Sequence, residues 1–190
     1  MATISIGFVT GNPNKLAEIG RLLPPGIALV HLDLGEVQET GETFEENAEI
    51  KARVGLSMSQ LSMGEDSGLM VTALAGAPGV HSKRYAASDV ERIGRLLTAL
   101  EGEHDRRARF VTVIALASPD EATRLFRGEV RGQIAHEPRG AHGFGYDPVF
   151  IPDEGDGRTF AEMTAEEKGS ISHRARAIRS LLSYLREQHP

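Results

Sequence analysis

The alternation of short apolar runs with amphipathic segments predicts an α/β fold. Residues 3–9 and 27–32 are apolar and rich in β-branched side chains, which is typical of buried strands. Residues 14–23 lie between them and repeat their apolar positions at helical spacing. The first part of the chain therefore predicts a strand, a helix and a second strand.

Two capping signatures predict further helices. Thr43 and Ser88 are each followed three residues later by a glutamate, as in a capping box. The first of these helices has Glu49 four residues before Arg53, a spacing that favours an exposed ion pair. The second helix places Val90 on its apolar face. Both helices are predicted to be structural.

The middle of the chain is rich in predicted strands. Residues 69–74 continue as a strand, and residues 76–79 form a turn or loop. Residues 109–117 and 122–130 are strand-like and predict a long antiparallel hairpin. No repeat or linker divides the sequence, so we expect one domain over residues 1–190.

An acidic stretch at residues 63–69 is a candidate for chemistry. Glu65 and Asp66 lie between Gly64 and Gly68, just before an apolar run. Neighbouring side chains in a strand point to opposite faces, so the two acids share a pocket only if the backbone kinks. One acid facing a site would suit Mg²⁺, which takes carboxylate and phosphate oxygens. The alternative is a solvated turn, because these residue types are common in turns.

The loop Thr10–Lys15 joins the first predicted strand to the first predicted helix. Such a joint exposes backbone N–H groups and the positive end of a helix dipole, which favour phosphate. The loop lacks the second glycine and the Lys-Ser/Thr pair of a Walker A motif, which excludes the P-loop NTPases. The alternative is an asparagine-rich N-cap with only local hydrogen bonds.

Two further segments carry groups that fit a nucleotide. Residues 140–148 are rich in glycine and contain Phe144 and Tyr146, whose rings either stack on a planar base or pack into the core. After a short turn that ends at Lys168-Gly169, a helix is predicted to open at Ser170 with His173, Arg174 and Arg176 in its first two turns. Cations are unfavourable at a helix N-terminus, so either a bound anion or the preceding glutamates must neutralise them.

Composition excludes several classes of protein. The 190 residues are 40% hydrophobic and 25% charged, as in a globular protein. A net charge of −6 argues against a general nucleic-acid binder. With no cysteine, the chain has no disulfide framework and no cysteine nucleophile, and we expect a cytoplasmic protein. No apolar run is long enough to span a membrane, so no membrane partner is expected.

Several sequence blocks, in one order along the chain, resemble the Ham1/inosine triphosphatase family. They are residues 10–15, 41–48, 66–69, 76–79, 143–148 and 171–174. The resemblance implies an α/β fold with an elongated, twisted mixed β-sheet flanked by helices, and two lobes around a central cleft. It also implies a homodimer that hydrolyses ITP, dITP and XTP to monophosphate and pyrophosphate with Mg²⁺.

The same resemblance assigns site residues. Asp66 would be the proton acceptor and a metal ligand, and Glu36 would be the second metal acid, with Glu39 as its alternative. The substrate-binding residues would be Thr10, Gly11, Asn12, Pro13, Asn14, Lys15, Ser67, Phe144, Gly145, Tyr146, Asp147, Lys168, His173 and Arg174. Glu65 stands where many members have a second aspartate, which leaves its role open.

Two other functions remain as alternatives. A non-catalytic nucleotide sensor would keep the phosphate loop but would not need acids placed for a metal. A pyrophosphatase for pyrimidine or modified nucleotides, of the kind that the Maf-type fold performs, would share the chemistry and differ in the base. The metal dependence and the base preference of turnover separate the three.

Overall fold

The computed structural model describes residues 3–188 and contains one mixed six-stranded sheet with flanking helices. The strands are β1 (Ile4–Val9), β2 (Ile27–Leu32), β3 (Ser62–Val71), β4 (Arg107–Ala117), β5 (Arg124–Ile134) and β6 (Phe150–Pro152). The α-helices of the described chain are α1 (Pro13–Leu22), α2 (Phe44–Gly55), α3 (Asp89–Ala99), α4 (Ala165–Ile171) and α5 (His173–Gln188). Short 3-10 helices cover Thr72–Leu74, Gly79–Arg84, Asp147–Val149 and Phe160–Glu162. This architecture confirms the predicted α/β class.

The strand order across the sheet is β2-β1-β3-β4-β5-β6. Strand β1 lies parallel to both β2 and β3. Strands β4 and β5 are neighbours joined only by residues 118–123, a connection too short for a parallel crossover, so they run antiparallel. Strand β6 pairs antiparallel with the last three residues of β5. The predicted hairpin is therefore confirmed. Strand β4 begins two residues earlier than predicted, and β5 begins two residues later and continues to Ile134.

Local sequence signals placed the early helices correctly. Thr43 and Ser88 form the predicted capping boxes at the starts of α2 and α3. On α2, Arg53 Nε lies 2.8 Å from Glu49 Oε1, as the spacing predicted. The placement of Val90 on the buried face of α3 was wrong, since this side chain is 81% exposed. Val90 lies in the first turn of α3. The buried residues of this helix, Ile93 and Leu96, lie further along it.

The acidic stretch was not the turn that its composition allowed. Residues 62–71 are one continuous strand, so the strand predicted from Leu69 begins seven residues earlier, at Ser62. The 3-10 helix at Thr72–Leu74 replaces its predicted end. Strong turn formers adopt a strand here because β3 lies between β1 and β4, where its backbone hydrogen-bonding groups find partners.

The helix that was predicted to open at Ser170 begins instead at His173. A capping box formed by Thr164 and Glu167 starts α4, which continues through Ile171. Ser172 then adopts an extended conformation, with ψ at 157°, and separates α4 from α5. Lys168 consequently lies within a helix, while Arg174 lies in the first turn of the next helix.

The residues divide into two compact units. The first unit contains residues 3–66, 112–128 and 174–188, and the second contains residues 67–111 and 129–173. The core of the first unit is built from strand residues such as Phe8 and Ile114 and from Ile178 of α5. The core of the second unit is built around Phe110 and Phe150. A single functional domain over residues 1–190 stays a prediction.

Across residues 3–188, every helix is too short or too polar to cross a lipid bilayer.

Candidate active site

Neighbouring acids on β3 point to opposite faces of the strand. Glu65 contacts Lys15 of α1 and Arg174 of α5, whereas Asp66 contacts Lys51 of α2. No kink brings the two carboxylates together, because the strand alternates its side chains in the ordinary way. Gly64 does not serve to kink the strand. It is needed because a Cβ at this position would collide with the backbone of α2. The glycine thus lets α2 lie close to β3 on the Asp66 face.

Asp66 is buried but has an uncommitted oxygen. Its Oδ1 lies 3.2 Å from Nζ of Lys51, and its side chain is 8% exposed. Its Oδ2 is buried and accepts no hydrogen bond from any residue in the described part of the chain. Burial raises the pKa of the Asp66 carboxyl above its ordinary value. A carboxylate with these properties can accept a proton or bind a cation.

Glu39, not Glu36, lies beside Asp66 in this structure. Oε1 of Glu39 is 2.7 Å from the Lys51 ammonium that also contacts Asp66. Glu36 lies on the exposed part of the same loop. Both acids precede α2 by a few residues, so the sequence could not separate them. The contact of Lys51 with both Glu39 and Asp66 is what distinguishes Glu39 from Glu36.

Glu65 belongs to a buried ion network. Lys15 Nζ lies 2.5 Å from Oε2 of Glu65, and Arg174 donates from Nε and Nη2 to Oε1 at 3.2 and 3.0 Å. Thr112 adds a hydroxyl donor at 3.3 Å from Oε1. Burial alone would favour the neutral acid, but the charges of Lys15 and Arg174 outweigh it and hold the pKa of Glu65 well below its ordinary value. Glu65 is therefore ionised and fully engaged.

Carboxylates from other elements neutralise Arg174. Besides Glu65, its partner is Glu18 of α1, whose Oε2 lies 2.7 Å from Nη1. Of the two glutamates before the helix, Glu167 contacts Arg158. Glu65 and Glu18, both distant in sequence, offset the unfavourable placement of Arg174 at a helix start. A bound anion at this helix start stays a prediction.

The loop from Thr10 to Lys15 has the predicted strand-to-helix geometry. Asn12 is the N-cap of α1, and its Oδ1 accepts the Asn14 N–H at 2.9 Å. Pro13 occupies the first turn, where its missing N–H has no consequence. Thr10 Oγ1 accepts the Asn12 N–H at 3.1 Å. The predicted N-cap is thus confirmed. An N-cap at this position is compatible with phosphate binding.

In the second unit, Asp147 holds two predicted site residues. Its Oδ2 accepts the Phe144 N–H at 2.9 Å and lies 2.7 Å from Lys168 Nζ. The Lys168 ammonium lies 5.0 Å from the centre of the Phe144 ring and 5.5 Å from that of Phe160. Phe144 is only partly buried, whereas Lys168 and Asp147 are buried. This arrangement presents an aromatic face next to a fixed cation.

The remaining predicted residues of the second unit are more deeply packed. Tyr146 is 4% exposed, and its hydroxyl donates to the Ser82 carbonyl at 3.0 Å, so its ring packs in the core as one of the two interpretations held. The His173 ring stacks on Phe110 with 4.6 Å between centroids. Gly145 donates its N–H to Asp89 Oδ2 at 2.7 Å, and Ser67 follows Asp66 on β3.

The structure thus forms two groups of predicted residues. The first unit holds Thr10–Lys15, Asp66 and Arg174, and the second holds Ser67, Phe144–Asp147, Lys168 and His173. Sequence reasoning missed Lys51 and Glu18, which are ordinary helix residues with no motif around them. Only their tertiary partners identify them.

A divalent cation fits the Asp66 side of β3. Among the described residues, no group of three or more His, Cys, Asp or Glu side chains forms a complete metal cage. Magnesium does not need one, because it usually binds proteins through one or two carboxylates together with substrate phosphates. Asp66, with its uncommitted Oδ2, and Glu39 supply such a pair.

Comparison with known proteins identifies the family. The Ham1 family profile matches residues 6–184. A dITP/XTP pyrophosphatase from Gloeobacter violaceus is 49% identical over 187 residues, covering 93% of this chain and 91% of that protein. A dITP/XTP pyrophosphatase from Symbiobacterium thermophilum is 49% identical over 185 residues, covering 94% and 93%. The solved structure of a HAM1 protein from Coxiella burnetii has a TM-score of 0.88 and 42% identity, covering 97% of this chain and all of the other. This chain belongs to the Ham1 family.

Proposed function

We propose that this protein hydrolyses non-canonical purine nucleoside triphosphates, namely dITP, XTP and ITP, to the monophosphate and pyrophosphate. Its relatives named dITP/XTP pyrophosphatase align with nearly the whole chain. The structural observation that carries the proposal is Asp66, a buried acid with one oxygen paired to Lys51 and the other uncommitted. A nucleotide sensor that only binds would have no need of such an acid.

Asp66 is the proposed general base. In the absence of a bound cation, burial raises the pKa of the Asp66 carboxyl, which favours acceptance of a proton from an attacking water. Its Oδ2 is the atom that would receive this proton. Lys51 stabilises the carboxylate through Oδ1 and keeps it oriented. The elements β3 and α2 hold both groups, so the geometry does not depend on a flexible loop.

Asp66 and Glu39 would hold Mg²⁺, the divalent cation that we propose as cofactor. When bound, the cation would neutralise charge on the phosphates and the leaving pyrophosphate. Glu36, first predicted for this position, is replaced by Glu39 in the proposal because Glu39 shares Lys51 with Asp66. The ammonium of Lys51 already provides a positive charge between the two carboxylates.

The Thr10–Lys15 loop is the proposed site for the phosphate chain. It combines the N-terminus of α1 with the ammonium of Lys15, which Glu65 holds by an ion pair. Negative charge that develops on the leaving pyrophosphate would be stabilised by these groups. Arg174 contacts Glu65 and Glu18 in the same unit, so its contacts favour a role in steadying this network over the base contact first predicted for it.

The proposed base-binding groups are in the second unit. Lys168 is a buried donor held by Asp147, and Phe144 offers a partly exposed ring beside it. A 6-oxo purine presents an acceptor at O6, which a lysine ammonium can bind, whereas adenine presents an amino donor. Discrimination of this kind arises because the wrong base leaves a buried donor without a partner. His173, Gly145 and Tyr146 would shape the pocket around these groups.

Three further features stay predictions. The resemblance to the family implies a homodimer, and the paired part of β6 covers only the end of β5, leaving Arg124–Val130 as a strand edge that a partner could cover. The net charge of −6 argues against nucleic acid as a partner. A cytoplasmic location is consistent with a sequence that has no cysteine.

A single assay tests the proposed function. Pyrophosphate release is measured for ITP, dITP, XTP, GTP, ATP, dUTP and dTTP, with and without Mg²⁺. ITP, dITP and XTP should be turned over much faster than ATP or GTP. Equal rates over the panel, or orthophosphate as the first product, would contradict the proposal, and binding without turnover would favour a sensor. Preference for dUTP or dTTP would point to a different pyrophosphatase.

A further inference from the structure

Side chains of the Thr10–Lys15 loop bind two of the loop's own backbone N–H groups. The N–H groups of Asn12 and Asn14 are bound by side chains of the loop, and Pro13 has no N–H. Within this fully described loop, the N–H groups of Gly11 and Lys15 make no hydrogen bond to the protein. Lys15 lies in the first turn of α1, whose geometry orients its N–H along the helix axis. Gly11 has no such helical constraint.

The side of Gly11 that would carry a Cβ is open. Apart from its two chain neighbours, no residue in the described part of the chain lies within 4 Å of the position that a Cβ on Gly11 would occupy. Glycine also has the widest backbone freedom of any residue. Neither a side chain on Gly11 nor a helical turn therefore fixes the direction of the Gly11 N–H, a donor that a phosphate group needs.

His31 contacts the peptide that contains this N–H. It lies on β2, which runs parallel to β1, and its Nε2 is 2.8 Å from the carbonyl oxygen of Thr10. A carbonyl only accepts hydrogen bonds, so His31 donates through an Nε2–H. The Thr10–Gly11 peptide is trans, since the only cis bond in the described chain is Ala77-Pro78. In a trans peptide the C=O and N–H point in opposite directions.

We propose that His31 is a positioning residue for the phosphate chain. By holding the Thr10 carbonyl, it directs the Gly11 N–H away from β2 and keeps it ready to bind a phosphate oxygen. This inference deepens the proposed function, on which it rests, because it assigns to one exposed histidine the preorganisation of the phosphate loop. None of the sequence blocks that resemble the family includes His31.

The inference predicts a specific kinetic effect. A preorganised donor that binds phosphate before and during the reaction contributes to substrate binding more than to kcat. Loss of the His31 hydrogen bond should therefore raise KM for the triphosphate and the inhibition constant for pyrophosphate, each by about 3- to 10-fold, as expected for one hydrogen bond. The inhibition constant of the nucleoside monophosphate should stay unchanged if the loop binds the pyrophosphate part.

The test uses two substitutions of His31 and one control. His31→Leu removes the donor, while His31→Gln keeps an N–H at about the same distance from the backbone. His104→Leu is the matched control, since His104 is an exposed histidine in the second unit and is not part of any site described above. For each variant, KM, kcat, inhibition by pyrophosphate and inhibition by monophosphate are measured. Calorimetric titration with pyrophosphate and thermal unfolding complete the set.

The expected result is weaker pyrophosphate binding and a higher KM in His31→Leu, near-normal values in His31→Gln and in His104→Leu, and unchanged unfolding temperatures. Equal behaviour of His31→Leu and wild type would overturn the inference. It would also be overturned if Gln failed to restore binding, or if the Leu variant lost kcat with pyrophosphate affinity intact. Calorimetry needs no turnover, so a wild type that binds pyrophosphate but releases none from dITP would contradict the proposed function and leave the His31 comparison decisive.

Discussion

Glu65 and Asp66 are adjacent in sequence, yet their carboxylates serve different faces of β3. Glu65 lies within a network of Lys15, Arg174 and Thr112, whereas Asp66 pairs with Lys51 and keeps one oxygen uncommitted. The first acid has every feature of a structural ion-pair partner, and the second has the features of a reactive group. This division of roles can be tested by substituting each acid separately.

Asp66→Asn should abolish most activity with little loss of stability. The substitution keeps the shape and removes the basicity, so kcat should fall by at least ~100-fold, which is the low end for loss of a general base. Added Mg²⁺ should not restore it. Glu65→Gln should instead destabilise the fold by about 3 kcal/mol, because it leaves buried cations without their partner. Activity assays and denaturant titrations of both variants make the comparison. Near-normal turnover in Asp66→Asn, together with a stable and inactive Glu65→Gln, would reverse the roles.

Glu39→Gln should raise the Mg²⁺ concentration needed for half-maximal activity by about 10- to 100-fold. The reason is that Glu39 and Asp66 both contact the Lys51 ammonium, so the two carboxylates lie near each other. Glu36→Gln is the matched control, because Glu36 is an exposed glutamate of the same loop. Mg²⁺ titrations of kcat/KM, and isothermal titration of the metal with a non-hydrolysable triphosphate, measure the effect. A normal Glu39→Gln with an impaired Glu36→Gln would restore the original assignment. Chelation of the metal should stop turnover in both.

Lys168→Met should weaken the preference for ITP over ATP. If the ammonium binds O6, kcat/KM should fall by about 1 to 3 kcal/mol more for ITP than for ATP. The double variant Lys168→Met/Asp147→Asn removes the carboxylate that would otherwise be left unpaired and separates misfolding from lost recognition. Lys83→Met is an exposed control in the same unit. Identical losses for the two substrates would exclude base recognition by Lys168. Arg174→Ala, in contrast, should reduce both substrates equally, because its contacts are with Glu65 and Glu18.

The stability should depend on pH through Glu65. Its pKa is lower in the folded protein than in the unfolded chain, so it stabilises the fold fully above the unfolded value of about 4.3. This contribution is lost as the pH falls from that value through the lower folded pKa. Denaturant titrations from pH 7 to pH 3 should therefore show a steeper decline for wild type than for Glu65→Gln. Parallel curves would mean that Glu65 is not the ionised partner of Lys15 and Arg174.

The protein should be a homodimer at micromolar concentration. Light scattering should give about twice the chain mass of 20.5 kDa. If the partner covers the edge of β5, Leu125→Lys should shift the mass toward that of the monomer, because Leu125 is a large exposed apolar residue on this strand. Val90→Lys, at an exposed apolar position on α3, serves as the control. A monomer mass for wild type would exclude the dimer.

Much of the fold was determined by local sequence. The strand and helix of residues 3–23, the second strand at residues 27–32 and both capping boxes depend on hydrophobic spacing and on side chains within four residues. Such signals act between neighbours, so they can be recognised without knowing what the segment packs against. The signature blocks were similarly local, and they were enough to identify the family.

Only the tertiary structure decided which charges meet. Glu65 and Arg174 are 109 residues apart in sequence, and their contact supplies this helix start with a carboxylate that no local pattern indicated. The choice between Glu39 and Glu36 depended on which of the two acids contacts Lys51 of α2. The conversion of an acidic, glycine-rich stretch from an expected turn into a central strand depended on neighbours on both sides. Electrostatic partners are chosen by distance in space, and a single sequence does not contain that distance.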